Sequence, residues 1–140
     1  MEEVKVRVAC IERAVQGHAS FPGPIIREFC YVQLRILCEL IALSCLVAHG
    51  DIPATQSRRI GRQTSAQQIM EDLTKLRPHF YPLAIRETTA PTASGKVRTL
   101  EIVDPQPFPK EALLDLYGKA HSKVHRGNVE RLLRSAAPRY

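Results

Sequence analysis

The stretch that decides the fold is PIIREFCYVQLRILCELIALSCLVAH, residues 24–49. Apolar residues fall on almost every side of a helix built from it, and the Gly50-Asp51-Ile52-Pro53 run that follows predicts its end. Pro24 suits the first helical position, because its missing N–H would be unpaired there. A helix that is apolar all round is normally buried all round. We therefore predict a central helix covered by the rest of the chain and by a second copy of it.

Four polar side chains interrupt this apolar helix. Their spacings of three, four and four residues place them on one narrow face: Glu28, Tyr31, Arg35 and Glu39. Arg35 and Glu39 are four residues apart, so they can pair directly, and charges on a buried helix have to be paired. The spacing predicts a buried polar seam. It is either structural, as an internal ion-pair network or an exposed strip, or functional, as a seam that feeds a site or a dimer contact.

Chain length and cysteine spacing limit the classes of protein to which this chain can belong. The 140 residues, 44% of them hydrophobic, fit a single helical domain over 1–140 with a packed core. The four cysteines form no C-x-x-C pair, which favours reduced thiols and a cytoplasmic location. The most apolar run, 36–47, is short for a bilayer and contains Glu39, so we expect no membrane partner.

A first helix is predicted from Glu2 to about Gln16, ending at Gly17. Its spacing suggests one apolar stripe, although the valines leave a short strand over 4–8 open. The predicted stripe consists of Val4, Val8, Ile11 and Val15.

Further helices follow a polar loop at about 53–63. Thr64 and Gln67 match a capping box at the start of the third helix, and Pro78 ends it. Amphipathic spacing predicts two more helices, over 110–125 and 129–136.

Between these helices the period changes to that of strands, with turn residues at 92–95, so we predict a β-hairpin over about Tyr81–Val103. The fold class is mainly α: a four- or five-helix bundle with an inserted β-hairpin. A lone hairpin is marginally stable in water. The hairpin should therefore pack on the helices or pair with another chain, and a homodimer should form through the 24–49 helix or the hairpin.

The predicted helix over 110–125 contains the main candidate catalytic and binding residues. His121 and His125 lie four residues apart on one face, and basic side chains surround them: Lys119, Lys123 and Arg126. With 20 Lys and Arg against 14 Asp and Glu, such a group could attract RNA phosphates, or it could be solvated surface charge. His49 could cap its helix or pair with Asp51 as an acid–base couple. No metal, cofactor or small-molecule motif is present, since H-E-x-x-H and glycine-rich nucleotide loops are missing.

The helix layout and the segment Tyr117-Gly118-Lys119-Ala120-His121-Ser122-Lys123-Val124-His125-Arg126-Gly127 resemble HEPN-type helical-bundle proteins of bacteria and phages. The resemblance implies dimerisation and, in active members, an Arg-x(4–6)-His ribonuclease motif in a late helix. Here no arginine precedes His121 or His125 at that spacing, and the one spacing match, Arg13 to His18, lies in the first helix. The resemblance therefore implies a copy without ribonuclease activity.

Two functional hypotheses follow. The first is a non-enzymatic interaction or regulatory protein of bacterial or phage type that self-associates through its apolar helix. The alternative is a HEPN-like RNA-binding protein or ribonuclease that uses the His121/His125 basic patch.

Overall fold

The computed structural model describes residues 2–56, 65–93 and 95–124. It confirms a mainly helical chain with an inserted antiparallel hairpin. The predicted helix at 129–136 and most of the 53–63 loop lie outside the described residues. The elements are α1 (Glu2–Val15), α2 (Gly23–Ala48), a short 3-10 helix (Pro53–Gln56), α3 (Ala66–Leu76), β1 (Ile85–Thr92), β2 (Gly95–Ile102) and α4 (Lys110–Val124).

The chain divides into two compact units. The first contains the residues up to Ile41 together with those from Asp115 onward, and the second contains 42–114. The buried side chains of the first unit are Ala14, Leu37, Cys38, Tyr117 and Ala120. Those of the second unit include Ile69, Met70, Leu73, Phe80 and Leu113, all 4% exposed or less.

Gly17 ends α1, as predicted, through two backbone hydrogen bonds. The N–H of Gly17 donates to the Ala14 carbonyl at 3.3 Å, and the N–H of His18 donates to the Arg13 carbonyl at 3.1 Å. This pair of bonds is a Schellman motif, which needs a left-handed residue at its corner. Gly17 has φ +82°, a value that costs glycine little because it has no Cβ.

The predicted apolar stripe of α1 is wrong in part. Val8 is 41% and Val15 71% exposed, whereas Ala14 is buried. The half-buried positions on that side include Arg7, whose guanidinium donates to Gln33 on α2 at 2.6 Å and to Glu3 at 2.7 Å. Because the hydrogen bond to Gln33 holds Arg7 against α2, the inward face of α1 differs from the one that hydrophobicity alone selects.

Within the described residues, α2 is not covered all round. Its buried positions are Leu37, Cys38, Ala42 and Cys45. Large apolar side chains on it stay exposed by 36–79%, namely Ile25, Phe29, Val32, Leu43 and Val47. By length and composition alone the whole helix could cross a bilayer, a test that a core helix of a soluble protein also passes. The expected all-round burial would require a partner.

The two deeply buried cysteines of α2 should react slowly with thiol reagents. Burial, and then the neighbouring Glu39 carboxylate, raise the pKa of the Cys38 thiol from 9.0 to about 11. Burial also raises the pKa of Cys45. A raised pKa keeps the neutral thiol, and the thiolate is the form that reacts. At pH 9 only about one Cys38 in a hundred is ionised in the folded chain.

We therefore expect a maleimide or disulfide reagent at pH 8 to label exposed Cys10 quickly and to leave Cys38 and Cys45 unlabelled until the chain unfolds. Mass spectrometry of the labelled peptides measures this, and the same reaction in guanidinium chloride is the control. Native labelling of Cys38 at the rate of Cys10 would contradict the burial described here.

The hairpin lies open to solvent. β1 and β2 pair antiparallel from Ile85–Ile102 to Thr92–Gly95, which agrees with the predicted hairpin and turn. Every residue of β2 is exposed, and Ile85, Leu100 and Ile102 are 58–64% exposed. The expectation that the hairpin packs on helices is therefore not met within the described residues.

Candidate functional site

Two predicted groups meet in a polar cluster between α2 and α4. Arg35 Nε donates to Glu39 Oε1 at 3.1 Å, and the Tyr117 hydroxyl donates to the same carboxylate oxygen at 3.4 Å. The Arg35 guanidinium lies over the Tyr117 ring, 5.9 Å from its centre. The Tyr117 ring is 6.1 Å from that of His121. We call Arg35, Glu39, Tyr117 and His121 the α2–α4 cluster.

Helical spacing explains how the cluster is built. Arg35 and Glu39 are one turn apart on α2, and Tyr117 and His121 are one turn apart on α4, so each helix presents its pair on one face. Tyr117 is 7% exposed overall, while the Arg35 and Glu39 side chains are 29% and 23% exposed. A buried phenol needs a partner for its hydroxyl, and Glu39 provides it.

The seam of polar residues along α2 is half-buried. Glu28, Tyr31, Arg35 and Glu39 all have intermediate exposure. The Arg35–Glu39 ion pair predicted from the spacing is present. The sequence did not predict that Tyr117 joins this pair. Its hydroxyl on an apolar helical face did indicate that a hydrogen-bond partner is needed.

The α2–α4 cluster contains an ion pair whose opposite charges offset each other. The charge of Arg35 is opposed by Glu39, and the carboxylate accepts hydrogen bonds from both Arg35 and Tyr117. An arginine offset in this way attracts a phosphate weakly. His121 is exposed at the rim of the cluster.

The predicted basic patch is only partly described. Lys119 Nζ lies 2.6 Å from Asp115 Oδ2, so its charge is offset, and Lys123 is exposed on the last turn of α4. His125 and Arg126 lie outside the described residues. Among the residues that the structure describes, no group of three His, Cys, Asp or Glu side chains could hold a metal ion.

His49 is fixed by contacts from residues far along the chain. Arg77 Nη1 donates to His49 Nδ1 at 3.1 Å, and His49 Nε2 lies 3.0 Å from the Phe80 carbonyl. Because arginine can only donate, Nδ1 accepts and Nε2 carries the proton. Both ring nitrogens are therefore engaged in holding the segment after α3, and Asp51 has no part in these contacts.

An apolar hollow of about 250 Å³ lies beside the first turns of α2. Its walls come from the end of α1, the connecting turn and α2, and its lining residues are Ala14, Ala19, Phe21, Ile25, Ile26 and Phe29. Phe21, Ile25 and Phe29 are spaced by four residues, which places their side chains on the same side of a helix. The hollow adjoins the exposed apolar residues of α2 and extends that surface.

The candidate sites are thus an open apolar surface on α2, a half-buried polar cluster and a partly described basic patch. The chain matches no family model, no curated protein and no solved structure.

Proposed function

We propose that this protein is a non-enzymatic interaction or regulatory protein, of bacterial or phage type and cytoplasmic, that forms a homodimer through α2. The observation that carries the proposal is the exposed apolar series Ile25, Phe29 and Val32, which are 45%, 40% and 36% exposed. Soluble proteins rarely leave a contiguous apolar surface of this kind uncovered. A second copy of the chain is the partner that is always present with it.

The spacing along α2 suits a helix–helix contact. Steps of four and three residues from Ile25 to Phe29 and Val32 repeat the spacing of a coiled-coil seam, and the same face continues to Leu43 and Val47. In a two-fold dimer each helix meets its own copy, so residues of one seam fill gaps in the other. The apolar hollow could receive an aromatic side chain from the partner.

The proposal includes the predicted architecture, in which the helices form a four- or five-helix bundle. The α2–α4 cluster then acts as a structural ion pair that fixes α4 against α2.

A single charge in the seam tests the proposal. Phe29→Glu should halve the molar mass measured by size-exclusion chromatography with light scattering, because a carboxylate in a closed apolar interface is costly. Val6→Glu is the matched control, since Val6 is also an exposed apolar helix residue, at 56%, but lies on α1. Far-ultraviolet circular dichroism confirms that both variants stay helical. A wild-type mass unaffected by Phe29→Glu would refute the α2 interface.

The alternative is a HEPN-like RNA-binding protein or ribonuclease. The observation in its favour is the exposure of His121 and Lys123 on the same end of α4. RNA affinity should then fall steeply with salt and should be lost in a His121→Ala/His125→Ala variant. Unchanged binding or cleavage by that variant would exclude this patch as the RNA site.

A further inference from the structure

A recess of about 360 Å³ opens at the surface of the second unit. Its walls come from three places in the sequence: the segment that follows α3, the connector after β2 and the first turn of α4. Because these walls come from separate segments, no single local motif predicts the recess. Small-molecule sites are typically concave, with apolar walls and a few polar groups. The apolar lining of the recess consists of Pro78, Tyr81, Pro82, Leu83 and Pro109.

The apolar walls of the recess are rigid. A proline ring fixes its own backbone angle φ and has almost no side-chain freedom to lose when a ligand binds. The Tyr81 ring packs edge-on against the Phe80 ring, with ring centres 6.3 Å apart, and Phe80 is only 4% exposed. A ligand therefore meets a preformed surface, and a preformed site binds at a lower entropic cost.

Gln106 holds the walls together through its side-chain amide. Its Oε1 accepts a hydrogen bond from the Ala84 N–H at 2.7 Å, and its Nε2 donates to the carbonyls of Val103 and Ala84. These bonds tie the segment before β1 to the connector after β2. Because both ends of the amide are used in this way, recognition of a ligand depends on other polar groups in the lining.

Two opposite charges lie side by side in the lining. Lys110 and Glu111 begin α4, and Lys110 Nζ lies 4.0 Å from Glu111 Oε1. A pair this loose and partly exposed stabilises the fold little. Lys110 also donates to Thr74 Oγ1 at 3.3 Å, which uses one of the three N–H groups of the ammonium. The recess thus offers one cation and one carboxylate next to an apolar wall.

We propose that the recess binds a free aromatic amino acid in its zwitterionic form. The carboxylate of such a ligand would contact Lys110, and its ammonium would contact Glu111, as two charge-assisted hydrogen bonds. Both charged groups of an amino acid are attached to one carbon atom, so they are as close together as the charges of Lys110 and Glu111. The ligand's ring would pack against the prolines and Tyr81.

The size of the recess agrees with this ligand class. A closed cavity of about 150 Å³ is large enough for benzene. The recess has room for a ring of that size together with the charged groups of an amino acid. A simple anion would use Lys110 but would leave the apolar wall uncovered and would be repelled by Glu111. The site does not include the apolar series of α2, so it goes beyond the proposed homodimer and does not rest on it.

Ligand analogues test the proposal on the unmodified protein. L-phenylalanine should bind with a Kd on the order of 1 mM, measured by ligand-observed NMR titration. Removing the ammonium, in 3-phenylpropionate, or the carboxylate, in phenethylamine, should each weaken binding roughly tenfold. Glycine, which lacks the ring, should not bind detectably. Equal affinity for phenylalanine and 3-phenylpropionate would refute zwitterion recognition, as would no binding of phenylalanine at about ten times the expected Kd.

Charge-removing variants assign the two contacts. Lys110→Met should weaken phenylalanine binding roughly tenfold and spare phenethylamine, whereas Glu111→Gln should weaken it equally and spare 3-phenylpropionate. A loss of shape would instead weaken all three ligands alike, and that result would refute the assignment. Lys75→Met is the matched control, because Lys75 is an exposed lysine of α3 outside the lining. It should leave binding unchanged.

The dimer variant separates this proposal from the proposed function. Phe29→Glu should bind phenylalanine with the wild-type Kd, because Phe29 is in the first unit and does not line the recess. Binding by a monomeric Phe29→Glu supports both proposals. Loss of binding in Phe29→Glu, with circular dichroism unchanged, would contradict the placement of the ligand in the recess.

Discussion

Leu113→Ala should lower the free energy of unfolding by about 3 to 4 kcal/mol, the largest effect expected of a conservative substitution in this chain. Leu113 is completely buried, in the same unit as Ile69, Met70 and Leu73, each 1% exposed or less. Removing its side chain costs the hydrophobic transfer energy and leaves a cavity that close-packed neighbours fill only in part. Guanidinium chloride titration followed by circular dichroism measures the loss.

Leu83→Ala is the matched control for this substitution. It removes the same atoms in the same unit, but Leu83 is 56% exposed, so the free energy of unfolding should change by less than about 0.5 kcal/mol. An equal loss for the two variants would mean that Leu113 is not the core residue that its burial indicates. The melting temperature of Leu113→Ala should fall by roughly 10 °C.

His49→Ala should cost about 2 kcal/mol of stability. The substitution removes the ring that accepts from Arg77 and donates to the Phe80 carbonyl. It also removes an edge-to-face contact with the Phe80 ring, whose centre is 6.2 Å away. Phe80 is only 4% exposed, so its carbonyl would lose its donor in a region with little access to water. Chemical denaturation measures the change.

The control is His79→Ala, because His79 is exposed and lies between the same two partners in sequence. Its substitution should leave stability within about 0.5 kcal/mol of the wild type. His49→Gln should recover part of the loss, since an amide can keep one of the two hydrogen bonds. Wild-type stability in His49→Ala would show that the ring contributes nothing to the fold.

Element boundaries were predictable because they depend on local chemistry. Gly17 ends α1 through its positive φ, and prolines flank α3 and α4 where the sequence places them. The hairpin could be predicted from the strand-like alternation of residues on both sides of the Thr92–Gly95 turn. These signals act over a few residues, so a single sequence contains them in full. The predicted Thr64–Gln67 capping box is wrong, because Ser65 is the N-cap residue of α3 and the Gln67 side chain donates to Glu71 instead.

Contacts between distant residues could not be predicted in this way. The inward face of α1 depends on Arg7 reaching Gln33, 26 residues away, and His49 depends on Arg77 and Phe80, 28 and 31 residues away. Spacing along one helix gave the Arg35–Glu39 pair, but only the fold brings Tyr117 to it. Hydrophobicity alone likewise predicted burial for all of α2, because it cannot show how much covering surface the chain has to offer.

The proline in β1 has a consequence for how far assembly can proceed. A hairpin with two competent edges could add copies without end, as the strands of a fibril do. Pro91 pairs with Lys96 and has no N–H, so a further strand on the β1 side would find one backbone donor missing. A threonine at this position would restore the donor and leave the β1 edge more open to strand addition.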